Sequence, residues 1–212
     1  MKLLLLGVTG GTGAALLSQA VAAGHQVTAI ARRPETVRVD GASHVAVVAG
    51  DVLVPGPWQN AAAGHDALLS CLGSTDRRHP TTIYSRGTRN ALEALGTSPN
   101  RRLVCLSSAG LYVAPTTPVA QKLVTRLVVQ KMYRHGYDDM RRMEEALRQQ
   151  DVRWTVVRPP MLTDRPPTGN YRTAINSHLE KPRTITRADL AHYMLNAIED
   201  PSTVKAVVEI SS

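Results

Sequence analysis

Short apolar runs alternate with longer amphipathic segments along the chain of 212 residues. The runs are continuous and rich in Val and Leu, which is typical of parallel strands covered on both faces. They are residues 3–7, 26–31, 44–48, 67–72, 103–106, 155–157 and, at the end, 204–210. Between these runs, apolar residues at helical spacing predict helices over 12–23, 82–95, 119–150 and 188–198. The alternation predicts an α/β fold with a doubly wound parallel sheet, in which ligands bind beyond the carboxyl ends of the strands.

Three segments interrupt this alternation. Residues 54–57 predict a turn that leads into a short helix. The sequence APTTP at 114–118 opens a long basic region, whereas PPMLTDRPPTGN at 159–170 is too rich in Pro for regular structure and predicts a loop over the sheet edge. We therefore expect a single domain over residues 1–212, with substrate-side elements at about 114–142 and 159–186 and a small C-terminal lobe.

The first 24 residues, MKLLLLGVTGGTGAALLSQAVAAG, admit two interpretations. An export signal needs about 7 to 15 uninterrupted apolar residues, but here the run stops at Gly7. In the alternative, Gly7 ends a strand, Gly10 and Gly11 let the backbone turn and approach a pyrophosphate, and Gly13 lets the next helix pack closely. The spacing GxxGxxG is offset from the plain GxGxxG fingerprint, yet a strand precedes it and a helix follows it. The stretch therefore favours a dinucleotide-binding loop.

The end of the second predicted strand indicates which dinucleotide is bound. A site for NAD usually places Asp or Glu about 20 residues beyond the glycines, where it binds the ribose hydroxyls. This chain has Arg32 and Arg33 in that neighbourhood. Guanidinium groups favour a 2′-phosphate, so NADP(H) is preferred over NAD(H) unless both arginines are simply solvated. Asp51 follows the third strand, where it could meet the adenine amine, and Gly73 follows the fourth, where a small residue would let the cofactor lie against the protein backbone. Either could instead be an ordinary turn residue.

Composition narrows the choice of partners. The net charge of +8 favours anionic ligands, but the basic region 122–142 has the spacing of a solvated helix face, and aromatic residues make up only 4%. Nucleic acid is therefore not an expected partner. Cys71 and Cys105 lie inside apolar runs, as buried thiols of a cytoplasmic protein do. No apolar run approaches the ~18 residues of a membrane span. We expect a small-molecule substrate, no metal, no membrane, and a monomer or homodimer.

Nine motifs in order carry a family resemblance: GVTGGTG, IARRPE, AGDVL, HDALLSCLG, TTIYSRGTRN, CLSSAGLY, RRMEEAL, WTVVRPPMLTDRPPTGNY and ITRADLAHYML. Over nearly the whole chain, they resemble the atypical short-chain dehydrogenases, in the NAD(P)H-binding, NmrA-like branch that includes flavin reductase. The resemblance implies a Rossmann fold that binds NADP, with a shallow substrate site over the nicotinamide.

The resemblance also implies roles for single residues. Those expected at the pyrophosphate are Gly7, Thr9, Gly10, Gly11, Thr12 and Gly13. Arg32 and Arg33 would bind the 2′-phosphate, and Asp51 and Val52 the adenine. The residues expected to line the ribose and nicotinamide are Leu72, Gly73 and Ser107. The residues expected to flank the carboxamide are Pro159, Pro160, Met161 and Leu162. Ser108 matches the active-site serine.

Two departures from the family pattern bear on catalysis. Typical short-chain dehydrogenases pair a Tyr with a Lys four residues later, and the Lys lowers the pKa of the phenol. Here the nearest counterpart is Tyr137 with Arg141, whose guanidinium does not relay protons. Met161 stands where the flavin reductase has a His of the substrate pocket. Biliverdin is therefore not the expected substrate.

The favoured function is hydride transfer from NADPH to a flavin, quinone or other carbonyl acceptor, with the cofactor supplying the chemistry. Ser108 would donate a hydrogen bond to the developing anion, and Tyr137 is a second catalytic candidate. Two alternatives stay open. One is a biosynthetic ketoreductase, epimerase or isomerase of the same fold. The other is a non-catalytic NADP(H)-binding redox sensor, for which loss of the usual Tyr and Lys pair would be natural.

Overall fold

The computed structural model describes residues 1–38, 44–96, 101–112, 127 and 129–212. Its strands are β1 (Lys2–Leu6), β2 (Gln26–Ala31), β3 (Val45–Ala49), β4 (Ala67–Ser70), β5 (Arg102–Leu106), β6 (Arg153–Arg158), β7 (Met161–Thr163), β8 (Arg172–Ile175), β9 (Thr184–Thr186) and β10 (Ala206–Ser211). Its helices are α1 (Gly11–Ala22), α2 (Trp58–Ala62), α3 (Ser85–Ala94), α4 (Gln130–Met132), α5 (Arg134–Arg148) and α6 (Arg187–Asn196).

The strands form an eight-stranded sheet in the order β3-β2-β1-β4-β5-β6-β10-β8. Every neighbouring pair is parallel except β10 with β8, which is antiparallel. The strand order reverses between β1 and β4, and such a switch point opens a crevice for ligands at the carboxyl ends of the strands. The predicted doubly wound Rossmann fold is thus confirmed.

Alternate residues of each central strand feed two separate cores. Leu3 and Leu5 of β1 pack in the layer that holds α1 and α6, whereas Leu4 and Leu6 pack in the layer that holds α2, α3 and α5. All four side chains are at most 1% exposed, and each contributes roughly 1.5–3 kcal/mol of burial free energy. Because both faces are covered, the strand appears in the sequence as an unbroken Leu run.

A buried arginine joins the sheet to α6. Arg102 at the start of β5 is 2% exposed, and its guanidinium donates to the C-terminal carbonyls Ala197 O at 2.6 Å and Ile198 O at 3.1 Å. It also donates to the hydroxyls of Thr155 and Thr203. Burial lowers the pKa of Arg102 to about 10, so the group stays charged at neutral pH. It satisfies carbonyls that the end of a helix leaves unpaired.

Two expectations about local structure were wrong. The segment 159–170 is not wholly irregular, because β7 pairs in parallel with β9 as a second sheet of two strands. Pro159 and Pro160 precede the paired residues and Pro166 and Pro167 follow them, so none withholds a ladder hydrogen bond. The helix expected over 119–150 is broken at Tyr133, where φ is −104° and ψ is 13°. Its part before 127, and the segment 114–118, lie outside the described residues.

The other local expectations agree with the fold. The 54–57 turn leads into α2. The sequence also predicts a helix start at Thr186 followed by an acidic first turn, and Thr186 caps α6 by accepting the Asp189 N–H at 2.9 Å. Residues 1–24, the stretch that could be read as a leader, contain β1, which is a central strand of the sheet, and all of α1. Among the described helices, none has the length and apolar character needed to cross a bilayer.

Candidate active site

The glycine loop between β1 and α1 is held in place by contacts that leave no room for side chains. Gly7 has a φ of +76°, and a Cβ there would lie 2.3 Å from the Cys71 carbonyl oxygen. A Cβ on Gly13 would lie 2.1 Å from the Gly7 carbonyl oxygen. Glycine is therefore required at both positions, because the backbone after β4 packs against Gly7 and α1 packs against the end of β1 at Gly13.

The start of α1 has the features of an anion site. Gly10 is its N-cap, and no side chain among the described residues caps it or places an acidic group in its first turn. Thr9, Gly10 and Gly11 are exposed, whereas Thr12 is buried and offers its main-chain N–H. The free amides and the helix dipole favour a phosphate at this position. These residues fit the pyrophosphate of a dinucleotide.

Arg32 and Arg33 lie immediately beyond β2, at the same edge of the sheet. Both side chains are exposed, and within the described residues neither guanidinium has an ion-pair partner. The Arg33 carbonyl accepts the Thr36 N–H and hydroxyl at 3.1 and 2.7 Å, which anchors the turn but leaves the guanidinium free. The arrangement therefore fits the predicted 2′-phosphate contacts.

The adenine and ribose candidates follow β3 and β4. Asp51 Oδ1 accepts the Leu53 N–H at 2.9 Å, so this oxygen is used by the local turn. Val52 is buried, and its carbonyl accepts from the Asn90 side chain at 2.8 Å. Leu72 packs partly into the core, whereas an added Cβ on Gly73 would meet no atom within 4 Å. Gly73 thus borders open space at the switch point of the sheet.

The structure brings together the two catalytic candidates, which are 29 residues apart in sequence. Ser108 Oγ lies 3.5 Å from the Tyr137 hydroxyl oxygen, just beyond the end of β5. The Ser108 hydroxyl also accepts the Gly110 N–H at 3.2 Å. Burial raises the pKa of the Tyr137 phenol above its ordinary value. The phenol therefore keeps its proton at neutral pH and acts as a hydrogen-bond donor.

Arg141 does not take the position of the missing lysine. Its Nη1 donates to Asp138 Oδ1 at 2.8 Å, and its Nη2 lies 3.4 Å from the Leu111 carbonyl oxygen. Its charge lowers the pKa of Tyr137 only as the smallest of several influences, well behind the effect of burial. The guanidinium therefore does not make the phenol a base.

Gly110 is a site residue that the sequence analysis missed. A Cβ at this position would lie 2.3 Å from the Tyr137 hydroxyl oxygen, so only glycine lets the phenol reach Ser108. CLSSAGLY contains the signal, since a glycine two residues after a candidate serine can mark a close approach. What it approaches was not visible from the motif.

Ser107 faces away from the cleft. Its hydroxyl donates to Glu144 Oε1 at 2.7 Å, and Glu144 also accepts from the guanidinium of Arg158, 3.0 Å from Nε. All three residues are less than 9% exposed. Ser107 can therefore meet a cofactor only through its main chain, while the buried Glu144 and Arg158 pair ties α5 to the end of β6.

The residues expected at the carboxamide lie at the start of the second sheet. Pro159 is buried, and its carbonyl accepts the Ala109 N–H at 3.0 Å, which places it beside the Ser108 turn. Pro160 is half-buried, Met161 is 69% exposed and Leu162 packs against the core. Met161 is free to contact a ligand but carries no titratable group to replace the family's histidine.

The thiols take no part in this site. Burial raises the pKa of Cys71 to about 12 and raises that of Cys105 as well, so both stay protonated. In the described part of the chain, no group of three or more His, Cys, Asp or Glu side chains is placed to hold a metal ion.

The fold and the glycine loop define a nucleotide-binding Rossmann protein. A family model described as NAD(P)H-binding matches residues 7–201, and the chain belongs to this family. It is therefore an NAD(P)-binding protein, as the sequence motifs predicted.

Solved structures share the fold at low sequence identity. An oxidoreductase from Lactococcus lactis has a TM-score of 0.77 at 20% identity, with 100% of this chain and 91% of that chain covered. A proposed NADH-flavin reductase from Streptococcus pneumoniae has a TM-score of 0.76 at 21% identity, covering 100% and 99%. A short-chain dehydrogenase/reductase from Veillonella parvula, solved with NADP, has a TM-score of 0.79 at 16% identity, covering 100% and 94%.

Proposed function

We propose that the protein is an NADPH-dependent oxidoreductase that transfers hydride to a flavin, a quinone or another carbonyl acceptor. The observation that carries this proposal is the Ser108 and Tyr137 hydroxyl pair, 3.5 Å apart, at the sheet edge that holds the glycine loop. The structural relatives support it, since one was solved with NADP and another is a proposed NADH-flavin reductase.

Different residues would bind different parts of the cofactor. The α1 amides would hold the pyrophosphate, and Arg32 and Arg33 the 2′-phosphate. Asp51 and Val52 would border the adenine, and Gly73 and Pro159 the nicotinamide half. The bound NADPH supplies the hydride, so the protein itself needs only to position the acceptor, exclude water and stabilise negative charge on the acceptor oxygen.

The Tyr137 phenol favours reduction over oxidation. A phenol with a raised pKa donates a hydrogen bond to a developing oxyanion, but it is a poor base for taking a proton from an alcohol. Ser108 lies where it can share this donation. A reduced flavin or quinone can also take its protons from solvent, so the absent lysine does not prevent turnover.

A small aromatic cavity lies beside Tyr137. It has a volume of about 40 Å³ and borders Tyr84, Tyr133, Tyr137 and Met140. The Tyr133 and Tyr137 rings stack with centroids 5.8 Å apart, and Arg77 lies 4.6 Å above the Tyr133 ring. A cavity of this size holds only a few waters, so a flavin or quinone would lie outside it, over the Ser108 and Tyr137 hydroxyls.

The test is an acceptor screen with purified protein and NADPH, using FMN, riboflavin, a quinone and an aromatic aldehyde. With the aldehyde, Tyr137→Phe is expected to lower kcat about 10²–10³-fold, and Ser108→Ala about tenfold, because each removes a donor to the oxyanion. The loss is smaller with flavin, where solvent supplies protons. NADPH affinity should stay within about twofold in both variants. Unchanged kcat with every acceptor would make the pair structural.

A second variant separates the position of the phenol from its chemistry. Gly110→Ala should lower kcat nearly as far as Tyr137→Phe, because the new methyl group forces the hydroxyl from its place. The control is Gly56→Ala, whose Cβ would make only an ordinary 3.5 Å contact with Trp58. Steady-state NADPH oxidation measures both. Full activity of Gly110→Ala would show that Tyr137 has no role in turnover.

A redox sensor is the second candidate, and one observation favours it. The Arg141 guanidinium is engaged by Asp138 and Leu111 instead of activating Tyr137, so the acid–base pair of typical short-chain dehydrogenases has no equivalent. A sensor would bind NADPH tightly and show no turnover with any acceptor in the screen.

A further inference from the structure

Arg187 lies across the glycine loop. It is the first residue of α6, directly after the N-cap Thr186. A Cβ on Gly11 would lie 2.6 Å from Arg187 Cδ and 2.7 Å from its Nε. Gly11 therefore leaves room for the Arg187 side chain at the first turn of α1, although the two residues are far apart in the sequence.

The electrostatic setting of Arg187 is unfavourable for a lone cation. The N-termini of α1 and α6 both carry positive partial charge, and cations are destabilised there whereas anions are stabilised. Arg187 Nη1 is buried and makes no hydrogen bond within the described residues. Thr186 caps α6, but the N-terminus of α1 has no side-chain cap among the described residues, so an anion bound there would satisfy the guanidinium and the α1 amides at once.

The nearby carboxylates provide little compensation. Asp164 Oδ1 lies 3.5 Å from Arg187 Nη1, but its side chain is 84% exposed, so solvent screens the pair. Asp189, in the first turn of α6, accepts the main-chain N–H groups of Thr168 and Gly169 at 2.9–3.1 Å. These bonds hold the Pro-rich loop and lower the pKa of Asp189, against the opposing effect of its burial. Neither carboxylate is placed to complete the coordination of Arg187.

We propose that Arg187 binds the pyrophosphate of the dinucleotide, together with the free amides of α1. The guanidinium fork suits phosphate oxygens, and this group is common to NADPH and NADH. The inference rests on the dinucleotide site of the proposed function and is independent of hydride transfer. It adds a contact from α6 to a pyrophosphate site otherwise built from the loop between β1 and α1.

The test measures dissociation constants of the ligand-free, full-length protein at low ionic strength. Arg187→Met keeps the aliphatic stem over Gly11 and removes the charge, and it is expected to weaken NADPH, NADH and ADP-ribose by the same factor of about tenfold to a hundredfold. Adenosine 2′-monophosphate, which lacks the pyrophosphate, should bind as in wild type. Arg187→Lys keeps the charge and should give an intermediate loss. Arg165→Met, an exposed arginine of the neighbouring loop, is the matched control and should change each constant less than about twofold.

The possible outcomes separate the two proposals. Without ligand, Arg187→Met should have the same free energy of unfolding in urea as wild type. If that variant does not fold, Arg187→Lys must still weaken NADPH, NADH and ADP-ribose by the same factor. Equal affinities in wild type and the Arg187 variants would overturn the inference, and so would a loss confined to NADPH and adenosine 2′-monophosphate. Tight binding without turnover overturns the proposed reductase and leaves Arg187 in place. A wild-type protein that binds neither dinucleotide would overturn both.

Discussion

Replacing Arg32 and Arg33 together by Ala is expected to weaken NADPH binding about 10²- to 10⁴-fold and NADH binding less than about threefold. Each guanidinium is exposed beyond β2 with no ion-pair partner among the described residues, so no carboxylate in that part of the chain competes with a phosphate. NADH lacks the 2′-phosphate and loses no such contact. Titration of protein fluorescence with both cofactors measures the ratio directly.

The control for this double variant removes the same charge from the opposite edge of the sheet. Lys2 and Arg153 are exposed first residues of the parallel strands β1 and β6. Replacing both by Ala lowers the net charge by the same amount as the Arg32 and Arg33 variant. It does not change the carboxyl ends of the strands, where the cofactor is expected. Equal losses of NADPH and NADH in the Arg32 and Arg33 variant would reject their role at the 2′-phosphate.

Glu144→Gln is expected to destabilise the fold by about 3–5 kcal/mol, because it leaves the Arg158 charge buried without a counterion. The Glu144 side chain is 1% exposed and the Arg158 side chain 9% exposed, and two hydrogen bonds join them. The pair connects α5, which carries Tyr137, to β6, which leads to Pro159. Urea unfolding monitored by circular dichroism gives the difference in free energy.

Its control lies one residue further along α5. Glu145 pairs with Arg148 at 3.1 Å, but its side chain is 63% exposed, so Glu145→Gln should cost less than about 1 kcal/mol. The double variant Glu144→Met with Arg158→Met removes both charges and should recover most of the stability. A Glu144→Gln variant as stable as Glu145→Gln would show that the buried pair does not couple the two elements.

Local sequence patterns predicted much of the fold. The strand and helix alternation gave the sheet, because apolar periodicity reports burial directly. The Pro-rich segment was misleading because its prolines flank β7 instead of interrupting it. The long helix is broken at Tyr133, whose ring stacks on Tyr137. The short strands β8 and β9 were missed. Three or four residues that pair at a sheet edge show no clear period.

The sequence by itself determined the nucleotide loop and its neighbours, because a glycine loop, its strand and its helix are contiguous and their spacing is local. Only the tertiary structure decided which distant groups meet. Ser108 contacts Tyr137, Gly110 leaves room for that contact, and Ser107 turns inward to Glu144. Arg187 reaches Gly11 because α6 packs beside α1. Such contacts depend on how helices pack across a sheet. They join residues far apart in the chain, so no local sequence pattern predicts them.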